Sequence, residues 1–172
     1  MKLLIAKLLK VDFYDITALN RITQKIEAPN SRIALWKTEL LKSIERADQY
    51  EGLRQMGIEL ASYLTLLEKT TMDLGTLAAE KGPDAYLADA TLYLEMFGVV
   101  VIAWQWLTMA RAASFELEKG TSKKKESLFY EGKIHVAAYF FSHELPKAKS
   151  LSMTLTRKDK VTLSMPDACF TD

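Results

Sequence analysis

The chain has one cysteine, Cys169, and therefore no internal disulfide framework. A lone thiol fits a reducing compartment, so the cytoplasm is the expected location. Charge of a single sign is missing too: 23 Lys and Arg oppose 22 Asp and Glu, a net +1. No broad field is available to hold nucleic acid or an anionic membrane, and neither is expected as a partner. Only two histidines are present, no glycine-rich phosphate loop, no internal repeat and no alternating run long enough for a sheet. The opening MKLLIAKLLK has lysines at 2, 7 and 10 and no small-residue cleavage site after it, which argues against a signal peptide.

What is present is helical periodicity. At 172 residues with 49% apolar side chains, the chain can bury the core of one ordinary domain. The stretch from Asp89 to Arg111 is its most apolar part, and Met96 to Trp104 forms an unbroken apolar run. That run is bracketed by Glu95 and Gln105 and falls far short of the roughly 20 residues of a bilayer crossing, so no membrane span is expected. On a helix, Thr91, Glu95, Gln105 and Thr108 make its one polar line, with Gly98 in the same row. Such a helix should be covered nearly all round by its neighbours.

Those neighbours can be read on either side. Ile5, Leu8, Leu9, Ile16, Leu19, Ile22 and Ile26 space a first helix within Leu4 to Ile26, with an interruption at Asp12 and Asp15. Pro29 stops it, and Asn30 or Ser31 can cap the next. Ile33, Trp36, Leu40, Ile44 and Ala47 form a second stripe, which either ends in the polar residues Asp48 to Gly52 or runs straight into the third. Leu53, Met56, Leu60, Leu64, Leu67, Leu74 and Ala78 carry that third helix to Glu80, about eight turns. Lys81-Gly82-Pro83 is helix exit followed by helix entry, and Asp84 suits the new N-terminus. The central helix is predicted from there to about Lys119, ahead of a loop at Gly120, Thr121 and Ser122. The last helix aligns Ile134, Ala138, Phe141, Leu145, Ala148, Leu151 and Leu155, with a kink where Pro146 loses the bond to the Ser142 carbonyl. The pattern predicts an all-α, up-and-down bundle of four to five helices. It divides into N-terminal helices over 1–48, a bundle domain over 49–158 and a loose tail over 159–172.

Each candidate for chemistry has an ordinary explanation that outweighs it. His135 and His143 are eight residues apart, about 80 degrees around one helix, and do not face one site. Glu131 and His135 are one turn apart, but a bundle metal site needs Glu-x-x-His on two helices with further glutamates, so no metal is assigned. Glu95 interrupts an apolar face and would be a general base if desolvated, yet an exposed polar stripe accounts for it. Tyr93, Phe97, Trp104, Trp106, Phe140 and Phe141 could line a flavin or an acyl chain, but aromatics at helical spacing are usually core. Lys119 with Lys123 to Lys125 reads as solvated charge, and neither Cys169 nor a histidine lies near a nucleophile motif. No catalytic, cofactor-binding or metal-ligating residue is assigned.

At ADATLYLEMFGVVVIAWQW, followed by FYEGKIHVAAYFFSHELPKA, the sequence resembles the C-terminal helical extension of one branch of the acyl-CoA dehydrogenases, that of the methylmercaptopropionyl-CoA dehydrogenase-like enzymes. The likeness runs from about Leu53 to Leu155 and includes TTMDLGTLA at Thr70 to Ala78, while MKLLIAKLLK looks like the end of the dehydrogenase body. The resemblance implies a flavoprotein that removes two hydrogens across the α and β carbons of an acyl-CoA and passes hydride to FAD. In that family a glutamate takes the α proton, and the flavin lies between a small β domain and helical domains. Those parts precede the matched region, so no family residue role transfers to this numbering. The implied cofactor is none in this chain and FAD in the complete enzyme. The implied partners are a dehydrogenase catalytic body, in cis or in trans, and further copies in a homo-oligomer. The other reading, from the seven methionines and the Tyr93 to Trp106 surface, is a free-standing helical interaction or dimerisation module.

Overall fold

Helical spacing of apolar residues becomes six packed helices, one of them only five residues long, in a computed structural model, which describes residues 32–120, 124–157, 163 and 166–169. The expected helix over Leu4 to Ile26, its stop at Pro29, the cap at Asn30 or Ser31, and Lys123 lie outside the described residues. Helix α1 is Arg32–Ala47, α2 is Glu51–Lys81, α3 is the short Pro83–Leu87, α4 is Ala90–Glu118, α5 is Lys124–Tyr139 and α6 is Lys147–Leu155. A π-turn, Phe140–Glu144, joins α5 to α6, and a 3-10 turn spans Asp167–Cys169. Among the described residues there is no strand, and the chain is an all-α bundle.

Helices α1 and α2 are separate. Tyr50 is extended at φ −108°, and Arg54 Nε donates to Asp48 Oδ1 at 2.8 Å across the corner. The hairpin closes tightly where Gly57 faces Ile44, since a Cβ on Gly57 would lie 3.3 Å from Ile44 Cγ2. Further along, Lys37 pairs with Glu68. Leu53, Leu60, Leu64, Leu67 and Leu74 give α2 its buried stripe, as their spacing requires.

At Gly82, φ of +86° ends α2, and Pro83 takes the first position of α3. A single helix from Pro83 to Lys119 is not what forms. The helix breaks at Asp89, whose backbone leaves the helical region at φ −112°, ψ 22°. The corner lets Ala85 bury against the bundle before α4 turns back along α2.

Helix α4 is the axis of the fold and packs against α1, α2, α5 and α6. Trp36 of α1 stacks on Phe97 with centroids 5.1 Å apart, and Trp104 Nε1 donates to Ser43 Oγ at 2.9 Å, so α1 runs parallel to α4. Sequence neighbours α1 and α2, α2 and α4, and α4 and α5 run antiparallel. Met96, Val100, Ala103, Leu107 and Ala110 are completely buried along α4. Thr91, Glu95 and Gln105 of the expected polar line are exposed, but the open strip is wider than that line, because Ile102, Met109, Ala112 and Phe115 are exposed beside them. Gly98 alone in that row is buried. Membrane spanning also reads differently from the nine-residue run: Ala90–Glu118 as a whole is long and apolar enough to cross a bilayer by length and composition.

Distortion in the last helix lies upstream of its proline. Leu145 N–H reaches back five residues to the Phe140 carbonyl at 2.9 Å, and Pro146 then caps α6. Opening the turn moves the backbone away from the clash that a proline ring makes with the carbonyl four residues earlier. The buried line continues through it as Ala137, Phe141, Leu145, Ala148, Ser152 and Leu155.

Replacement of Leu107 by Ala should lower unfolding free energy by about 2–5 kcal/mol. Met153→Ala, at a side chain 72% exposed, should change it by less than about 0.5 kcal/mol. Urea unfolding followed by helical circular dichroism checks both.

Candidate functional site

The residues singled out for chemistry do not converge. His135 and His143 are both exposed on α5 and the π-turn. His143 stacks on Tyr139 with centroids 4.4 Å apart, its Nδ1 3.2 Å from the Tyr139 carbonyl. Glu131 accepts from Ser127 Oγ at 2.9 Å. Among the described residues, no group of three or more His, Cys, Asp or Glu could hold a metal ion. Glu95 is exposed, and its charge joins Glu144, 2.6 Å from Lys147 Nζ, in holding the Lys147 ammonium above its ordinary pKa, the Glu144 hydrogen bond acting most.

The aromatic residues are core or line it. Phe141 is buried, while Trp36, Tyr93, Phe97, Trp104, Trp106 and Phe140 pack half-buried against the core cluster. Lys119 pairs with Glu116 at 3.0 Å and lies 4.0 Å from the centroid of the Phe115 ring; Lys124 and Lys125 are exposed on the first turn of α5.

Two hydroxyl bridges inside the bundle were not legible in the sequence. Thr70 donates to the Leu66 carbonyl at 2.8 Å, which uses its one proton, so Ser152 donates to Thr70 Oγ1 across 2.7 Å. By the same accounting Thr71 donates to the Leu67 carbonyl and Tyr93 donates to Thr71 Oγ1 at 2.8 Å. Burial pushes the Tyr93 phenol up to about 12, with Tyr86 adding to the shift and the Thr71 hydrogen bond opposing it. These groups tie α2 to α4 and α6.

What remains as a candidate site is the side of α4 that no other described helix covers. Trp104 faces α1, whereas Trp106, whose ring lies 6.0 Å from Lys133 Nζ, faces α5. At 100 degrees per residue the two are about 200 degrees apart, so α1 and α5 flank α4 from opposite sides. Between them runs an open groove. Ile102, Gln105, Met109 and Ala112 form its floor, and Phe129 and Val136 rise from α5, 59% and 45% exposed. On α1, Trp36 faces α4 and Lys37 turns toward α2, which places Leu35 on the groove side. At the α5 end the groove deepens into a cleft of about 340 Å³ lined by Met109, Phe115, Phe129, Tyr130 and Lys133 among others. Its chemistry is that of a packing surface: apolar, shallow, edged by single charges. A second cleft, about 320 Å³, carries Asp73 and Glu80.

A family model described as acetyl-CoA dehydrogenase C-terminal like matches residues 19–166. No curated protein matches the chain significantly.

Thr70→Val and Ser152→Ala should each cost about 1–3 kcal/mol. The double variant should cost less than their sum by about 0.5–3 kcal/mol, measured as a double-mutant cycle by urea unfolding. Tyr93 ionises higher in the folded chain than its ordinary value of 10. Stability from its neutral form is therefore full below pH 10 and is lost as pH rises toward about 12. Unfolding across that window should show a larger loss in the parent chain than in Tyr93→Phe, which keeps only the contribution of Tyr86, whose phenol is also pushed up by burial.

Proposed function

The chain belongs to the acetyl-CoA dehydrogenase C-terminal like family, and from that premise we propose that it serves an acyl-CoA dehydrogenase-like flavoenzyme as a non-catalytic helical domain. On this reading it packs on the dehydrogenase body, in cis or in trans, and helps assemble the homo-oligomer or cover the active site. The FAD-dependent α,β-dehydrogenation belongs to the complete enzyme, in the methylmercaptopropionyl-CoA dehydrogenase-like branch, and the setting is the cytoplasm. Helix α4 acts as a core helix and not as a membrane span, a role supported by the four helices that pack on it.

The observation that carries the proposal is the match across 19–166 to a family defined by the C-terminal part of these enzymes. The surface agrees in kind. Leu128 and Tyr139 point outward along α5, 58% and 57% exposed, an apolar line suited to a protein neighbour. The described residues do not fit a flavin. Their rings are engaged with one another, as in the Trp36, Phe97 and Trp104 group, and Asp73 and Glu80 in the more polar cleft would repel a pyrophosphate.

The purified chain should carry no yellow chromophore, bind no added FAD and reduce no electron acceptor with short- or long-chain acyl-CoA. Flavin binding with turnover would falsify the non-catalytic reading. In the complete enzyme, Leu128→Asp combined with Tyr139→Asp should weaken attachment of this domain, seen as dissociation or a lower Tm. An unchanged assembly would remove the α5 face from the proposal, and a chain that pairs only with itself would favour the dimerisation module.

A further inference from the structure

Two cations that no carboxylate answers line the same cleft. This cleft of about 340 Å³ forms where the end of α4 meets the start of α5, and Met109, Phe115, Phe129 and Tyr130 give it an apolar wall. Arg111 is one helical turn from Phe115 and Lys133 one turn from Phe129, so each ring has a lining cation on its own helix. Both cations are half-buried. Neither takes part in an ion pair among the described residues. The Lys133 ammonium lies instead over the rings of Phe129 and Trp106, 5.2 and 6.0 Å from their centroids. Glu116, the lining carboxylate, is paired with Lys119 at 3.0 Å. With a net charge of +1 on the whole chain, the two cations are a local feature and not part of a broad basic field.

Shape decides what kind of group fits. A cavity of about 150 Å³ takes up a benzene-sized ring, so this cleft has room for one large apolar side chain and part of its neighbours. It is not closed over: Phe115 is 44% exposed and Phe129 59%. A free small molecule binds by burying roughly 70–90% of its own surface, which an open trough between two helices does not provide. A protein segment does better there, because its anchor side chain fills the cleft while the residues around the anchor exclude water. That anchor needs a negative neighbour. Lys133 Nζ is 5.2 Å from the Phe129 centroid, and residues three or four apart on a helix hold their Cβ atoms about 5–6 Å apart, so a carboxylate one turn from the anchor reaches the ammonium.

We propose that this cleft docks a segment of a neighbouring protein that carries a large apolar side chain and, one helical turn away, an aspartate or glutamate. The apolar side chain lies against Phe115 and Phe129, the carboxylate pairs with Lys133, and Arg111 draws a further acidic residue of the segment. Removal of the rings from water supplies affinity, while the two cations set which segment is accepted. The proposal rests on the reading of this chain as a docking domain, and it names the place and the partner chemistry of one contact.

Short helical, alanine-based peptides test it on the full chain in solution. One carries Phe with Glu four residues on, and two others replace that Glu by Gln or by Lys. The Phe/Glu peptide should bind at least about threefold more tightly than the Phe/Gln peptide, with Phe/Lys the weakest, and should shift the amide resonances of Phe129 and Lys133. Lys133→Gln should bring the Glu and Gln peptides level, and Lys133→Glu with Arg111→Glu should reverse the order of the Glu and Lys peptides. These side chains lie outside the buried core. Lys149→Glu is the control, because its ammonium also lies over a ring, that of Tyr63 at 5.4 Å, but does not line the cleft; the order should not change. No binding at millimolar peptide, equal affinity for all three, shifts that map elsewhere, or an order indifferent to Lys133 would each overturn the proposal. So would a second copy in the cleft, seen as peptide binding lost on raising the protein concentration. If the peptides fail while Leu128→Asp with Tyr139→Asp still loosens the domain in the complete enzyme, the docking reading stands without this cleft.

Discussion

Close approach to α4 is the constraint from which the rest of the architecture follows. Its fully buried line, Met96, Val100, Ala103, Leu107 and Ala110, mixes larger side chains with two alanines. The alanines let neighbouring helices come near, and the larger residues fill the spaces between ridges. Helix α4 can thus be shared by α1, α2, α5 and α6 at once. Helices α1 and α2 each bury an apolar stripe, and among the described helices none offers them a partner as apolar as α4. Polar anchoring is confined to positions where burial has already fixed the geometry, such as Ser43 beneath the Trp104 indole and Ser152 against Thr70.

Elements whose cause is local were legible in the sequence. Leu53 to Glu80 reads as one long helix because its apolar residues recur three, four or seven apart, and Gly82-Pro83 reads as a boundary because each residue has a specific backbone preference. The corner at Ala88 and Asp89 was not legible, since alanine, aspartate and alanine are unremarkable inside a helix and the break serves tertiary packing of Ala85. The π-turn was foreseen only as a kink. Pro146 announces a conflict with helical geometry, but whether the chain bends or widens depends on where Phe141 and Leu145 must be buried.

Much the same division applies to the candidate site. The interrupted row from Thr91 to Thr108 marked the side of α4 that would meet water, because polar residues at that spacing have no other use. The apolar walls were hidden. Phe129 and Val136 look like core residues in a sequence, and only the position of α5, touching α4 along one flank, leaves them exposed. Hydroxyl pairing was beyond reach for a different reason: Thr70 and Ser152 are 82 residues apart, and neither has a neighbourhood that sets it off from an ordinary helical serine or threonine.

The π-turn at Phe140–Glu144 uncouples chain length from packing phase. A residue gained or lost inside that wide turn alters its pitch locally and can leave Leu145, Ala148 and Ser152 on the face they now occupy. The same change one turn earlier in α5 would rotate everything after it by about 100 degrees, swinging Ser152 away from Thr70. A one-residue change should therefore disturb the packing least at this turn, where the rings of Tyr139 and His143 stack on each other.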